Sequence, residues 1–367
     1  MHLSRLSLVN FKTYSELDVG LSPRLNCFVG NNGVGKTNLF DAVYYLAFGK
    51  SCFNGSDSDS IRHQEDFFMV RGDFEFSDRQ EKIHCGLKRD QKKRVTRNDK
   101  EYPRLADHIG LIPMVMVSPA DSSLILEGSE ERRRYINGVI SQYDRQYLDD
   151  VMRYNKALLQ RNRLLKEFAR SGFFDGESLE VWDHQMALLG ERIFTRRREF
   201  ISELLPVFRH YYEFISQGSE LVDLSYRSQA FRGDLAKQMR KAWERDRILQ
   251  FSTVGIHKDD LVLELAGFPI RQQGSQGQQK TYLVALKMAQ YEFLANVSPS
   301  QPLMLFDDLF DKLDSSRVTQ IIKLVSDEKF GQIFLTDTNQ QHLETILKQM
   351  PVDHKLFRVA DGQLTEL

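Results

Sequence analysis

Cysteine is scarce. Cys27, Cys52 and Cys85 are the only three in 367 residues, and they stand in no metal-binding spacing. An odd, sparse set argues against a disulfide framework and reads as reduced thiols in a cytosolic protein. Net charge is missing as well, with 50 Lys+Arg against 51 Asp+Glu. That balance excludes a global field that would draw in nucleic acid, so any such binding must come from a local basic patch. No apolar run approaches the length needed to cross a bilayer, so a membrane protein enters only as a partner. The start, Met1-His2-Leu3-Ser4-Arg5, is not followed by an uninterrupted apolar stretch, and no signal peptide is expected. The length is that of about two domains, ample for a sizeable core.

What is present is organised around Gly30-Asn31-Asn32-Gly33-Val34-Gly35-Lys36-Thr37, which fits the G-x-x-x-x-G-K-[ST] phosphate-binding pattern. Leu25-Asn26-Cys27-Phe28-Val29 before it reads as a short buried strand. After it, Leu39, Phe40, Val43, Tyr44 and Ala47 fall at helical spacing. Strand, glycine loop and helix start together aim backbone N–H groups and the positive helix end at phosphate oxygens. Lys36 is then expected to bridge the β- and γ-phosphates, and Thr37 to offer its hydroxyl to Mg²⁺.

The rest of the chain divides in character. Residues 3–29 alternate in places and predict several strands, and the loop helix is expected to stop near Gly49. Residues 51–60 are small and polar, a surface loop; strand character resumes at 67–76 and 83–87. Residues 88–104 hold eight basic and three acidic side chains around a hairpin turn at Asn98-Asp99. Two readings stand side by side, a charge-blunted edge hairpin and a phosphate contact. After a strand at 112–117, Ser118-Pro119-Ala120-Asp121 resembles a helix start. From there to about residue 249 strand signals nearly vanish. Leu148, Val151, Asn155, Leu158, Asn162, Leu165 and Ala169 recur at spacings of three and four. Residues 172–178 interrupt them, and Trp182, Met186, Leu189, Ile193, Phe200 and Leu204 resume. This predicts an antiparallel helical hairpin with Asn155 and Asn162 facing inward, ended or kinked at Pro206. Its triplets Arg132-Arg133-Arg134 and Arg196-Arg197-Arg198 raise the possibility of a basic strip, against the plainer reading of charged surface helices.

Strand character returns at Leu261-Val262-Leu263-Glu264-Leu265. A second glycine loop, Gly274-Ser275-Gln276-Gly277-Gln278-Gln279-Lys280, then opens a helix and offers a second phosphate contact, or merely a flexible turn. Pro302-Leu303-Met304-Leu305-Phe306 reads as a buried strand ending in Asp307-Asp308. Asp307 is placed where such proteins hold Mg²⁺, and Asp308 where a base would take a proton from, or orient, the attacking water. A later strand ends at Thr336-Asp337-Thr338, where a hydroxyl would sense the γ-phosphate.

The order of phosphate loop, helical insertion, glycine loop, apolar-Asp-Asp and Lys312-Leu313-Asp314 resembles the heads of ABC- and SMC-type ATPases. Finer segments resemble the RecF family of bacterial recombination and gap-repair proteins. These are Leu8-Val9-Asn10-Phe11-Lys12-Thr13-Tyr14, Glu131-Arg132-Arg133-Arg134, Gln160-Arg161-Asn162, Gly255-Ile256-His257-Lys258-Asp259-Asp260 and Ser275-Gln276-Gly277-Gln278-Gln279. The resemblance implies an α/β phosphate-loop head over 1–118 and 250–367, with an α-helical arm inserted over 119–249. It implies ATP and Mg²⁺ as cofactors. Ser275, Gln276, Gly277 and Gln278 would cap the γ-phosphate held by Lys36 of a second chain, in a two-fold ATP-dependent homodimer. The implied output is binding of duplex, gapped or junction DNA in the cytoplasm. RecR and RecO would then join, so that a recombinase replaces single-strand-binding protein. Asp308, where transporter ATPases carry Glu, implies slow hydrolysis. A soluble ATPase acting on a protein partner is the alternative. A nuclease-linked ATPase is not expected, because the roughly 30 residues from Thr336 to Leu367 are too few for such a domain.

Overall fold

The computed structural model describes residues 1–218, 220–308, 315–325, 329–349 and 353–367. In chain order the first elements are β1 (His2–Phe11), β2 (Tyr14–Gly20), β3 (Leu25–Val29), α1 (Lys36–Phe48), β4 (Phe67–Glu75), β5 (Gln80–Lys88), β6 (Arg94–Arg97), β7 (Lys100–Glu101) and β8 (Met114–Val117). A largely helical stretch follows with α2 (Ser123–Leu126), α3 (Ser129–Ile140), α4 (Arg145–Ser171), α5 (Gly176–Ser216), β9 (Val222–Arg227), α6 (Leu235–Lys241) and α7 (Trp243–Leu249). Then come β10 (Asp260–Leu265), β11 (Phe268–Pro269), α8 (Ile270–Gln273), α9 (Gln276–Val297), β12 (Leu303–Phe306), α10 (Ser315–Val325), β13 (Ile333–Asp337), α11 (Gln340–Gln349), β14 (His354–Ala360) and β15 (Gln363–Glu366).

Packing divides the chain into two units: Met1–Asp121 with Tyr211–Gly218 and Gln276–Leu367, and Ser122–His210 with Ser219–Ser275. In the first unit, a six-stranded sheet of order β2-β1-β4-β5-β6-β7 is antiparallel throughout. Its strand β4 alternates buried and exposed residues, as a sheet with one wet face requires. The other sheet has the order β15-β14-β3-β13-β12-β8 and is parallel except at β15. Here β3, β8 and β12 are buried at every residue, the mark of strands covered on both faces. Helix α1 packs against strands of both sheets. Phe28 stacks on Phe334 and Phe357 of the flanking strands and meets Phe40 of α1 edge to face. The helix stops at Gly49, whose N–H reaches Tyr45 O, where the sequence places its end.

The second unit differs from the helical arm drawn over 119–249. Residues 250–275 pack within it, because β10 pairs antiparallel with β9, a six-residue strand that the helical reading missed. Val222 and Leu224 are its buried alternation, too short to stand out between long helices. The 41-residue helix α5 does not end at Pro206. Leu204, Phe208, Tyr211 and Tyr212 are all buried around that position, and their packing outweighs the lost backbone bond. α4 and α5 do run antiparallel, as Arg161–Asp183 and Arg196–Asp144 contacts show. The residues α4 buries are Tyr147, Asp150, Val151, Tyr154, Ala157, Arg161 and Leu165. Asn155 is therefore exposed and not inward. The predicted phase assumed apolar residues, whereas two tyrosines and an arginine occupy the buried face.

Candidate functional site

Parallel pairing brings the chemistry together. β3, β13 and β12 are neighbours, with Thr336 beside Phe28 and Leu335 beside Phe306. Their carboxyl ends lie at one edge of the sheet, so the phosphate loop after β3, Thr336 on β13 and Asp307 after β12 meet there. Such an edge is where open α/β sheets bind ligands.

The loop Gly30, Asn31, Asn32, Gly33, Val34, Gly35 leads into Lys36 and Thr37, the first residues of α1. Gly35 sits at the helix N-cap with φ 110°, and a Cβ there would lie 2.6 Å from Thr13 Oγ1. Only glycine fits. The Tyr14 hydroxyl donates to Gly35 O at 3.0 Å, so the β1–β2 turn braces the loop from outside. That support was within reach of the sequence, since Thr13-Tyr14 belongs to the opening motif, but nothing in spacing assigned it. Lys36 is buried, and its ammonium donates to Gly30 O at 2.7 Å and Asn31 O at 3.1 Å.

Thr37 Oγ1 donates to Asp307 Oδ2 at 2.8 Å across 270 residues of sequence. Thr336 Oγ1 donates to Asp307 Oδ1 at 2.9 Å and accepts the Asp308 N–H at 2.8 Å. Thr336 thus fastens both acids. Thr338 is exposed. Burial raises the Asp307 carboxyl above its ordinary range, partly offset by the Thr37 and Thr336 hydrogen bonds. A buried carboxylate beside a hydroxyl is a hard-oxygen donor pair, and it fits Mg²⁺. Asp308 takes φ 45°, a left-handed conformation that aspartate tolerates better than most residues. The segment 309–314, with Lys312-Leu313-Asp314, lies outside the described residues.

Ser275 and Gln276 are exposed at the start of the 22-residue helix α9, and Gly277 and Gln278 are half-buried in its first turn. A Cβ on Gly277 would lie 2.9 Å from the Arg317 guanidinium on α10. The glycine loop therefore does open a long helix.

The basic segments have separate fates. In the hairpin, Arg97 pairs with buried Glu81, Lys93 with Asp57 and Arg104 with Asp107. Lys88, Lys92 and Arg94 are exposed along the hairpin, and Lys100 is exposed on the edge strand β7. Asn98 and Asp99 both have positive φ, as the hairpin turn predicts. The arm triplets do not form one exposed strip. Arg197 is buried, Arg132 grips Asp260, Arg133 donates to Asp259 O, and Arg196 pairs with Asp144.

This geometry is that of a phosphate-loop ATPase head, and comparison with known proteins narrows it. Residues 2–360 match the RecF/RecN/SMC N-terminal domain. The DNA replication and repair protein RecF of Phocaeicola vulgatus is 52% identical over 100% of this chain and 98% of its own length. The chain belongs to the RecF family. RecF of Bacteroides thetaiotaomicron is 53% identical over 100% of this chain and 99% of its own. A solved structure of the recombination mediator RecF with ATP, from the RecFOR pathway, superposes with TM-score 0.90 at 28% identity, over 100% of this chain and 97% of that one. An SMC head bound to a winged-helix domain of ScpA shares the fold, with TM-score 0.60 at 17% identity, over 100% of this chain and 98% of that one. RecF membership accounts for the pairing of an ABC/SMC-type head with a second, largely helical unit. Among the described residues, no helix is long and apolar enough to cross a membrane.

Proposed function

We propose that this RecF-family chain is an ATP-switched DNA-binding protein of recombinational gap repair and replication. One observation carries the reading: the 2.8 Å contact between Thr37 Oγ1 and Asp307 Oδ2, which joins the phosphate loop to the acidic strand end. Lys36 would exchange its two loop carbonyls for the β- and γ-phosphate oxygens of ATP, beside the N–H groups of residues 30–37. Thr37 and Asp307 would hold Mg²⁺, which would neutralise part of the phosphate charge. Asp308 would orient the attacking water and accept its proton, with its backbone tethered by Thr336.

Ser275, Gln276, Gly277 and Gln278 would cap the γ-phosphate bound to a second copy of the chain. ATP would thereby complete a two-fold dimer, and ADP lacks the group that closes it. Duplex DNA at a gap or single/double-strand junction would be bound by the closed dimer, with the exposed lysines and Arg94 of the β5–β7 hairpin as phosphate contacts. RecR- and RecO-type mediators would act on that complex to let the recombinase load, and hydrolysis would reset it.

The test is fluorescence anisotropy of a gapped duplex titrated with the protein in ATP, in ADP and without nucleotide, at fixed salt. The expected outcome is tight binding with ATP alone, lost in Lys36→Ala and in Ser275→Arg. Equal weak binding in all three states would overturn the DNA switch. The ATPase head would then serve a protein partner.

A further inference from the structure

Four segments that the nucleotide site does not use converge on one loop of the second unit. The loop is residues 252–260, including Gly255-Ile256-His257-Lys258-Asp259-Asp260. From α3, Arg132 meets Asp260 through two bonds, Nε to Oδ1 at 2.7 Å and Nη2 to Oδ2 at 3.1 Å. The neighbouring Arg133 donates to Asp259 O at 2.7 Å. From α4, the Tyr154 hydroxyl meets His257 Nδ1 at 2.8 Å, and Asn162 Oδ1 accepts the Ser252 N–H at 2.8 Å and its hydroxyl at 2.7 Å. From α5, Arg197 Nη1 donates to Ile256 O at 3.0 Å and to Asp259 Oδ2 at 2.9 Å. Tyr226 of β9 donates to the same carboxylate oxygen.

The centre of this cluster is buried. Arg197 and Asp259 are each 1% exposed. Gly255 has φ 134°, and a Cβ there would lie 2.3 Å from the Tyr154 hydroxyl, so a side chain would break the seat of the loop. A buried ion pair adds little net stability against a well-packed apolar alternative, yet losing one partner leaves an uncompensated charge. Such a pair is useful where one geometry must be held against near neighbours.

What it holds follows along the chain. Asp260 is the first residue of β10, which pairs with β9 on one side and β11 on the other. β11 runs directly into α8, whose Ile270 is 1% exposed and which packs on β10. The Gly274 N–H then caps onto Ile270 O at 2.9 Å, and Ser275 is next. From Asp260 to Gly274 the chain is hydrogen-bonded strand, tight turn and helix, with no slack linker.

We infer that the buried Arg197–Asp259 pair, with the bonds that Arg132, Arg133, Tyr154 and Tyr226 add around it, is the positioning device for Ser275. It sets where β10 starts and hence where Ser275, at the end of the same hydrogen-bonded run, is held. This rests on the reading of Ser275 as the residue that meets a second chain's nucleotide. These are positioning residues, since none of them touches nucleotide in that reading.

The experiment compares the full-length wild type, Arg197→Met, Arg197→Lys and Leu165→Ala. Leu165 is a fully buried α4 residue outside the cluster and serves as a control for lost stability. Amide hydrogen exchange over residues 261–275 is read without nucleotide, and dimerisation is read by sedimentation with and without ATP. In Arg197→Met, exchange over 261–275 should be about tenfold faster. The ATP-dependent dimer should need about tenfold more protein, while binding of a fluorescent ATP analogue stays within about twofold. Arg197→Lys should recover part of both effects, and Leu165→Ala should show neither. Unchanged exchange over 261–275 in folded Arg197→Met would overturn the inference, as would equal loosening in Leu165→Ala. A wild type that does not dimerise with ATP would instead overturn the reading of Ser275. Faster exchange in Arg197→Met would still uphold the positioning role in that case.

Discussion

At the residue scale, Asp307 and Asp308 are adjacent acids with different surroundings, and the roles proposed for them divide along that difference. Asp307 is 2% exposed, and both its oxygens are engaged by threonine hydroxyls, which suits a fixed cation ligand. Asp308 is less buried, and its backbone, not its carboxylate, makes the tighter bond to Thr336. That leaves the carboxylate available for the water-orienting role proposed for it. Asp308→Asn should therefore keep ATP binding and the ATP-dependent dimer while slowing hydrolysis about 100-fold or more in single-turnover assays. An aspartate is one methylene shorter than the glutamate of transporter ATPases. The wild-type kcat is accordingly expected below the usual enzyme range of about 1–1,000 per second.

At the element scale, α4 and α5 are held by more than an apolar seam. Arg161 is fully buried and pairs with Asp183 of α5 and Asp246 of α7, with a further bond to Ser252. Asp183 also accepts the Trp243 indole N–H at 2.6 Å. Arg161→Met would leave two buried carboxylates facing each other without their cation. Loss of about 3–5 kcal/mol is expected in urea unfolding of this unit, with the fluorescence of Trp182 and Trp243 reporting the transition. The helices themselves were legible from spacing, but the buried face was not. Tyr147, Tyr154 and Arg161 break an apolar pattern, and a period drawn through Leu148, Asn155 and Leu158 lands one residue out of phase. The strand β9 was illegible for a related reason. Its six residues form a strand because β10 lies beside them, and β10 is more than thirty residues further along the chain.

At the scale of the whole molecule, buried histidines tie stability to pH. Burial is the main cause that pushes His257 down to about 4, with Lys258, Arg133 and Arg161 adding positive charge nearby and a hydrogen bond to Ser252 O opposing. His108, also lowered by burial, acts in the same direction. A depressed histidine pKa means that the unfolded chain takes up protons first as pH falls below 6.5. This contribution to stability is complete above pH 6.5 and is lost as pH drops toward 4. The thermal midpoint should therefore fall by several degrees between pH 7 and pH 5, and His257→Gln should lose less of its own midpoint over that interval.

The phosphate loop, its flanking strand and helix, and the Asp307-Asp308 strand end could be read from the amino acids alone. Each is a local pattern in which neighbouring residues dictate backbone shape and charge. The same holds for the hairpin turn at Asn98-Asp99 and the helix end at Gly49. Folding was needed for everything that depends on distant partners. The order β3-β13-β12 carries Thr336 to both acids, and antiparallel packing turns Arg161 and Arg197 from surface charges into buried ties. Pairing of β10 with β9 draws residues 250–275 into the second unit. These contacts join segments tens to hundreds of residues apart, and only packing and hydrogen-bond satisfaction, which no local window contains, select them.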